Sequence, residues 1–159
     1  MNDSIKLIGE FAFEHFNLKG KLIEKRVVKN LIVNKGKEAI ARLICGDLTA
    51  SPTFRTFTHV GIGTGTTVAA EGDLQLGTEV ARIAATPSTG TKAYEADYKA
   101  KYTVSWTNSG STRAITEAGI FDGATAGPTN SHMLSHQVFD AITINNGETL
   151  NITWRVSVS

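Results

Sequence analysis

From residue 150 onward, apolar side chains hold every even position (Leu150, Ile152, Trp154, Val156, Val158) and polar ones every odd position (Asn151, Thr153, Arg155, Ser157, Ser159). A period of two belongs to a strand with one buried face. Chain ends fray unless a sheet holds them, so the pattern predicts a terminal strand paired within the fold or with a neighbouring subunit.

The same period recurs upstream. Phe11, Phe13 and His15 alternate with Ala12, Glu14 and Phe16, Lys19-Gly20 supplies a turn, and Ile23, Val27, Leu31 and Val33 share one face of a second strand, which predicts a hairpin. The period then lengthens: Ala39, Ile40, Leu43 and Ile44 recur at helical spacing between Asn34, a candidate N-cap, and Gly46, a stop. Strands are expected over 54–62 and 79–86, separated by a glycine-rich ordered loop over 61–77 with one helical turn, and Pro87 opens a break. Tyr94, Ala96, Tyr98, Ala100, Tyr102, Val104 and Trp106 then occupy even positions between charged and hydroxyl residues, predicting one long strand with an aromatic face. Further strands are expected over 114–121, 132–139 and 141–145, with Asn146-Gly147 as the turn of a closing hairpin.

The pattern predicts a mainly β protein, an antiparallel β-sandwich of about eight strands with one short α-helix near residues 35–45. Nothing in it resembles βαβ alternation or an internal repeat, so residues 1–159 are read as a single domain.

Composition narrows the partners. A net charge of +1, 41% apolar residues and no block of like charge give no electrostatic reason to expect nucleic acid. No stretch approaches the roughly 20 apolar residues that span a bilayer, and Asp3, Lys6 and Glu10 interrupt what would be a secretory h-region, so a cytoplasmically made protein with no membrane partner is expected. The single cysteine, Cys45, falls on the apolar side of the helix and is expected in the core.

Candidate chemistry is sparse. Gly61, Gly63 and Gly65 follow a strand, but GxGxG satisfies neither the dinucleotide fingerprint nor the P-loop, so a tight turn needing positive φ is expected in place of a phosphate site. His132 and His136 are four apart on a strand, which separates them by about 13 Å, too far to share a metal ion; they are expected at a surface or an interface. Glu71, Asp73, Glu79, Glu117 and Asp122 lie near loops or strand ends, as caps and turn formers do. No GxSxG elbow is present. Tyr94, Tyr98, Tyr102 and Trp106, together with His132, His136 and Trp154, are the candidate residues of a subunit interface. No catalytic residue, metal ligand or cofactor is assigned.

Three stretches, 30–44, 59–79 and 115–122 with its continuation at 133–139 and the terminal strands, resemble in their order small structural proteins of tailed bacteriophages, those related to tail-collar or tail-fibre domains and other virion accessory proteins. The resemblance implies a non-enzymatic virion component that forms a homo-oligomer and contacts other virion proteins of the tail, portal/neck or capsid. Two other classes remain: a carbohydrate-binding module using the aromatic residues, and a hydrolase using the carboxylates around Glu71, Asp73 and Asp122.

Overall fold

The computed structural model describes residues 6–47, 49, 53–85 and 90–159. Among the described residues nine strands and one helix follow in the order β1 (Leu7–Phe16), β2 (Leu22–Ile32), α1 (Asn34–Cys45), β3 (His59–Gly63), β4 (Glu79–Ala84), β5 (Gly90–Glu95), β6 (Lys99–Thr107), β7 (Arg113–Phe121), β8 (Met133–Ile144) and β9 (Thr149–Val158). They form one antiparallel arrangement ordered β4-β3-β7-β8-β2-β1-β9-β6-β5. It folds over at β2, whose last residues Leu31 and Ile32 pair with His136 and Ser135 of β8. We call β2-β1-β9-β6-β5 sheet A and β8-β7-β3-β4 sheet B. The two open ends of the order, β4 and β5, are consecutive in sequence, and β4 comes against β6, so the sandwich is nearly closed. Mainly β architecture, with one helix among the described residues, is as the pattern predicts.

The core lies between the sheets. Phe11, Phe13, Val104, Leu150, Ile152 and Trp154 meet Val60, Ile62, Ile115, Ala118, Ile120, Ile142 and Ile144, all essentially inaccessible to solvent. β9 lies along β1 on one side and β6 on the other for almost its entire length, so its edges pair within the chain. Its even residues face inward, as the alternation requires.

Several local expectations change. The period-two run 94–106 contains two strands: Asp97 and Tyr98 adopt left-handed backbone (φ 62° and 60°) and turn β5 back onto β6. A turn of the required geometry can interrupt a sequence period without disturbing it, because both strands keep the same parity. The Asn146-Gly147 turn, with Gly147 at φ 80°, joins β8 to β9, but these strands belong to different sheets and do not pair. It is an arch between layers, where a hairpin was expected. A second arch joins β6 to β7, and Asn108 ties the two together: its carbonyl accepts from Gly147 N at 2.6 Å, its N–H reaches Glu148 O at 3.0 Å and its side-chain amide reaches Ile144 O at 2.9 Å. The strands expected separately over 132–139 and 141–145 are one, β8, and His132 lies just before it. The 54–62 strand is shortened to β3, although Phe54 and Phe57 are buried. The break expected from Pro87 falls in part outside the described residues, which resume at Gly90 in β5.

On α1 the N-cap is Val33, one residue earlier than expected, and no side chain caps it; Asn34 N instead donates to Glu71 O at 2.8 Å. Gly46 ends the helix in left-handed conformation (φ 71°). The face that packs is Gly36 and Ala39, with Gly36 set so closely on the Leu134 backbone that a Cβ would collide with it. Nine residues on, at about 100° per residue, Cys45 points away from Gly36. The thiol is exposed, not a core residue.

Candidate functional site

Sheet B presents its outer face to the long segment 64–78, and the largest buried cluster of charged groups among the described residues lies between them. β3 alternates Val60 and Ile62 toward the core with Gly61 and Gly63 on the outer face. On β7 the register shifts between Ile115 and Glu117, so that Ile115 and, beyond the shift, Ala118 and Ile120 all serve the core. A shift of this kind re-aims side chains. Here it accompanies Glu117 turning onto the outer face opposite Gly63, with Gly119 opposite Gly61.

Glu117 is the fixed point of the loop. Its carboxylate accepts backbone N–H bonds from Gly65, Gly77 and Thr78, each at 2.8 Å, and lies 3.1 Å from His136 Nε2. Thr116 Oγ1 adds a bond to Gly65 O at 2.8 Å. The other ring nitrogen, His136 Nδ1, is 2.7 Å from Asp73 Oδ2, and the same Asp73 oxygen caps Ala70 N at 2.8 Å. The side chains of Glu117 and His136 are 1% and 5% exposed and that of Asp73 is 28% exposed. A carboxylate so placed needs a full set of donors. Burial pushes Glu117 up, but the His136 bond and the three backbone donors outweigh it and bring its pKa down to about 2. For His136 burial works against charge, yet the bonds to Glu117 and Asp73 and their negative charge raise it above its ordinary value.

This cluster explains the glycines. A Cβ on Gly65 would stand 2.5 Å from Glu117 Oε1, one on Gly63 would stand 2.5 Å from Thr78 O and collide with the same carboxylate, and one on Gly61 would stand 2.7 Å from the Phe121 ring. None of the three has positive φ. The expected turn conformation is therefore replaced by close approach: the glycines make room for Glu117 and for Leu76. Leu76 seals a second small apolar cluster with Val33, Phe121 and Met133. Arg82 stacks its guanidinium 3.6 Å from the Phe121 ring centre and pairs with Glu79 at 2.6 Å.

Two other buried histidines hold chain to chain. His132 Nδ1 lies 2.8 Å from Asp122 Oδ2, its backbone N–H reaches Asp122 Oδ1 at 2.7 Å, and its ring stacks on Phe54 at 3.8 Å. His15 Nε2 lies 3.0 Å from Glu148 Oε2 beneath the arches. Among the described residues no group of three or more His, Cys, Asp and Glu side chains is arranged to hold a metal ion.

The candidate interface residues divide. His132, His136 and Trp154 lie inside the subunit, so they offer no surface to a partner: both imidazoles are bonded to carboxylates of the same chain, and Trp154 fills the core against Phe11 and Tyr102. Tyr102 and Trp106 are half-buried against that core. Tyr94 and Tyr98 alone are open, at 74% and 73% exposure, beside the β5–β6 turn. Of the loop carboxylates, Asp73 and Asp122 are bound to histidines and Glu71 pairs with Lys37 at 2.9 Å.

No family model matches the chain, and no curated protein or solved structure matches it either.

Proposed function

We propose that this chain is a non-enzymatic structural component of a tailed-phage virion, an oligomeric adaptor or accessory module of the tail, collar or baseplate region. Capsid-surface decoration or a head fibre is the alternative placement. The phage assignment rests on the three resembling stretches. Assembly rests on one structural observation. β2 keeps Val28 and Ile32 on the core side but carries Ile23 and Val27 exposed on the outer face of sheet A, while Glu24, Arg26 and Asn30 share the inner parity with Val28. With Glu10, Glu14, Lys25 and Lys29 on the same open face, Ile23 and Val27 make a mixed apolar and charged surface of the kind that subunit contacts use. The partners are further copies of the chain and neighbouring virion proteins of the tail, portal/neck or capsid, and the protein's place is the virion, assembled in the host cytoplasm.

Light scattering on the purified protein is expected to give a defined oligomer, and Val27→Asp is expected to dissociate it. A monomer that also fails to bind any virion protein overturns the proposal. A map of the particle then separates tail from capsid placement.

The exposed rings of Tyr94 and Tyr98 favour one second reading, a carbohydrate-binding module. It requires glycan-array binding that is lost in Tyr94→Ala; a blank array removes it.

A further inference from the structure

His136 has a carboxylate against each ring nitrogen, and this places a condition on its protons. A neutral imidazole has one N–H and one lone pair; only the imidazolium donates from both nitrogens. With Asp73 Oδ2 at 2.7 Å from Nδ1 and Glu117 Oε2 at 3.1 Å from Nε2, both contacts are bonds only when both nitrogens carry hydrogen. In the neutral ring one of them becomes a lone pair facing a carboxylate oxygen, in a site with almost no solvent to intervene.

We propose that the Asp73–His136–Glu117 chain is a proton-controlled latch that keeps the segment 64–78 closed over sheet B while His136 is doubly protonated and releases the middle of that segment when one ring proton is lost.

The two carboxylates are not equivalent, and this decides what opens. Glu117 belongs to β7 and is bonded to backbone N–H groups at both ends of the segment, Gly65 on one side and Gly77 and Thr78 on the other. These bonds persist whatever His136 does. Asp73 stands in the middle of the segment, is partly exposed, and has its other bond inside the segment, to Ala70 N. Loss of the Nδ1 proton leaves Nε2–H on Glu117 and sets Asp73 free to turn into solvent. The segment then opens as a flap with fixed ends.

The charges around the latch come from few elements. β7 contributes Glu117, and the segment contributes Asp73 and Glu71, the latter held by Lys37 of α1. β2 places only Leu31 opposite His136. The charges that act on the ring are those of Asp73 and Glu117, both favouring its charged form against burial. Opening also removes the Glu71 carbonyl from Asn34 N, uncapping the first turn of α1.

The direction follows from the sign of the shift. His136 is raised in the folded protein, so its contribution is complete below the ordinary histidine value of 6.5 and is lost as pH rises through the raised value. Glu117 stays ionised down to about 2, so its end of the latch holds as pH falls, and the loss of the His136 proton places the opening on the alkaline side.

Imidazole nitrogen NMR on the uniformly labelled full chain, read with amide hydrogen exchange corrected for its intrinsic pH dependence, tests this. His136 is expected to show two protonated ring nitrogens at pH 7 and to lose the Nδ1 proton first. Protection of the hydrogen-bonded amides that opening frees, Ala70, Asp73 and Asn34, is expected to fall at least tenfold across that titration, while strand β7 stays protected. Asp73→Asn, which removes the charge and keeps an acceptor, is expected to leave the flap open and its exchange independent of pH. A single protonated nitrogen on His136 at pH 7 overturns the proposal. Unchanged protection of Asn34, Ala70 and Asp73 across the titration also overturns it.

Discussion

The outer faces of the two sheets carry similar residues in opposite circumstances. On sheet A the ladder Lys25–Glu14 stands in solvent, its atoms 2.9 Å apart and its side chains 60% and 37% exposed. On sheet B the ladder from Asp73 through His136 to Glu117 has almost the same separations and lies under a segment of chain. Exposed pairs contribute about 0–1 kcal/mol, whereas deleting one partner of a buried pair costs about 3–5 kcal/mol because the other is left unpaired. Distance alone does not distinguish the two; what covers them does.

Glu117→Ala should show the largest difference between the faces. It strands His136 and three backbone N–H groups, so a loss of about 3–5 kcal/mol in urea unfolding is expected, with loop protection abolished. A loss below about 1 kcal/mol would equate the two faces. Gly63→Ala is next, at about 1–3 kcal/mol, since its Cβ would displace Glu117 or the Thr78 carbonyl. The acid limb should come from Glu117 as well. Its depressed pKa makes a contribution that is complete above the ordinary carboxyl value of 4.5 and is lost as pH falls toward about 2. Denaturant midpoints measured over that window should slope downward, and Glu117→Gln should flatten the slope. Lys25→Ala is expected to change stability by less than about 1 kcal/mol, with salt erasing the remainder.

These faces also mark where the sequence could be read. The sandwich, the helix with its Gly46 stop and the inward parity of β9 follow from local periodicity, because each is decided by residues a few positions apart. The Glu117 cluster is assembled from segments 19 residues away at His136 and 52 away at Gly65, and no periodicity connects them. One signal was present: Val60-Gly61-Ile62-Gly63 alternates apolar with glycine, the mark of a strand whose second face is approached closely by other chain. On β2 the sequence misleads, because the apolar parity of Ile23 and Val27 is the exposed one. The arches at Asn108 and Asn146-Gly147 were legible as turns but not as changes of layer, since turn chemistry fixes the reversal and not the partner.

The position of β9 has a kinetic consequence. Without it, β1-β2 and β5-β6 are two hairpins with no common hydrogen bond, and Trp154 is missing from the space between them. Sheet A therefore cannot form as nascent chain emerges; it must wait until residues 149–158 leave the ribosome and insert between strands made long before. Pairing so distant in sequence is slow, and during that interval the apolar faces of both hairpins stand open to any neighbouring copy at the same stage of synthesis.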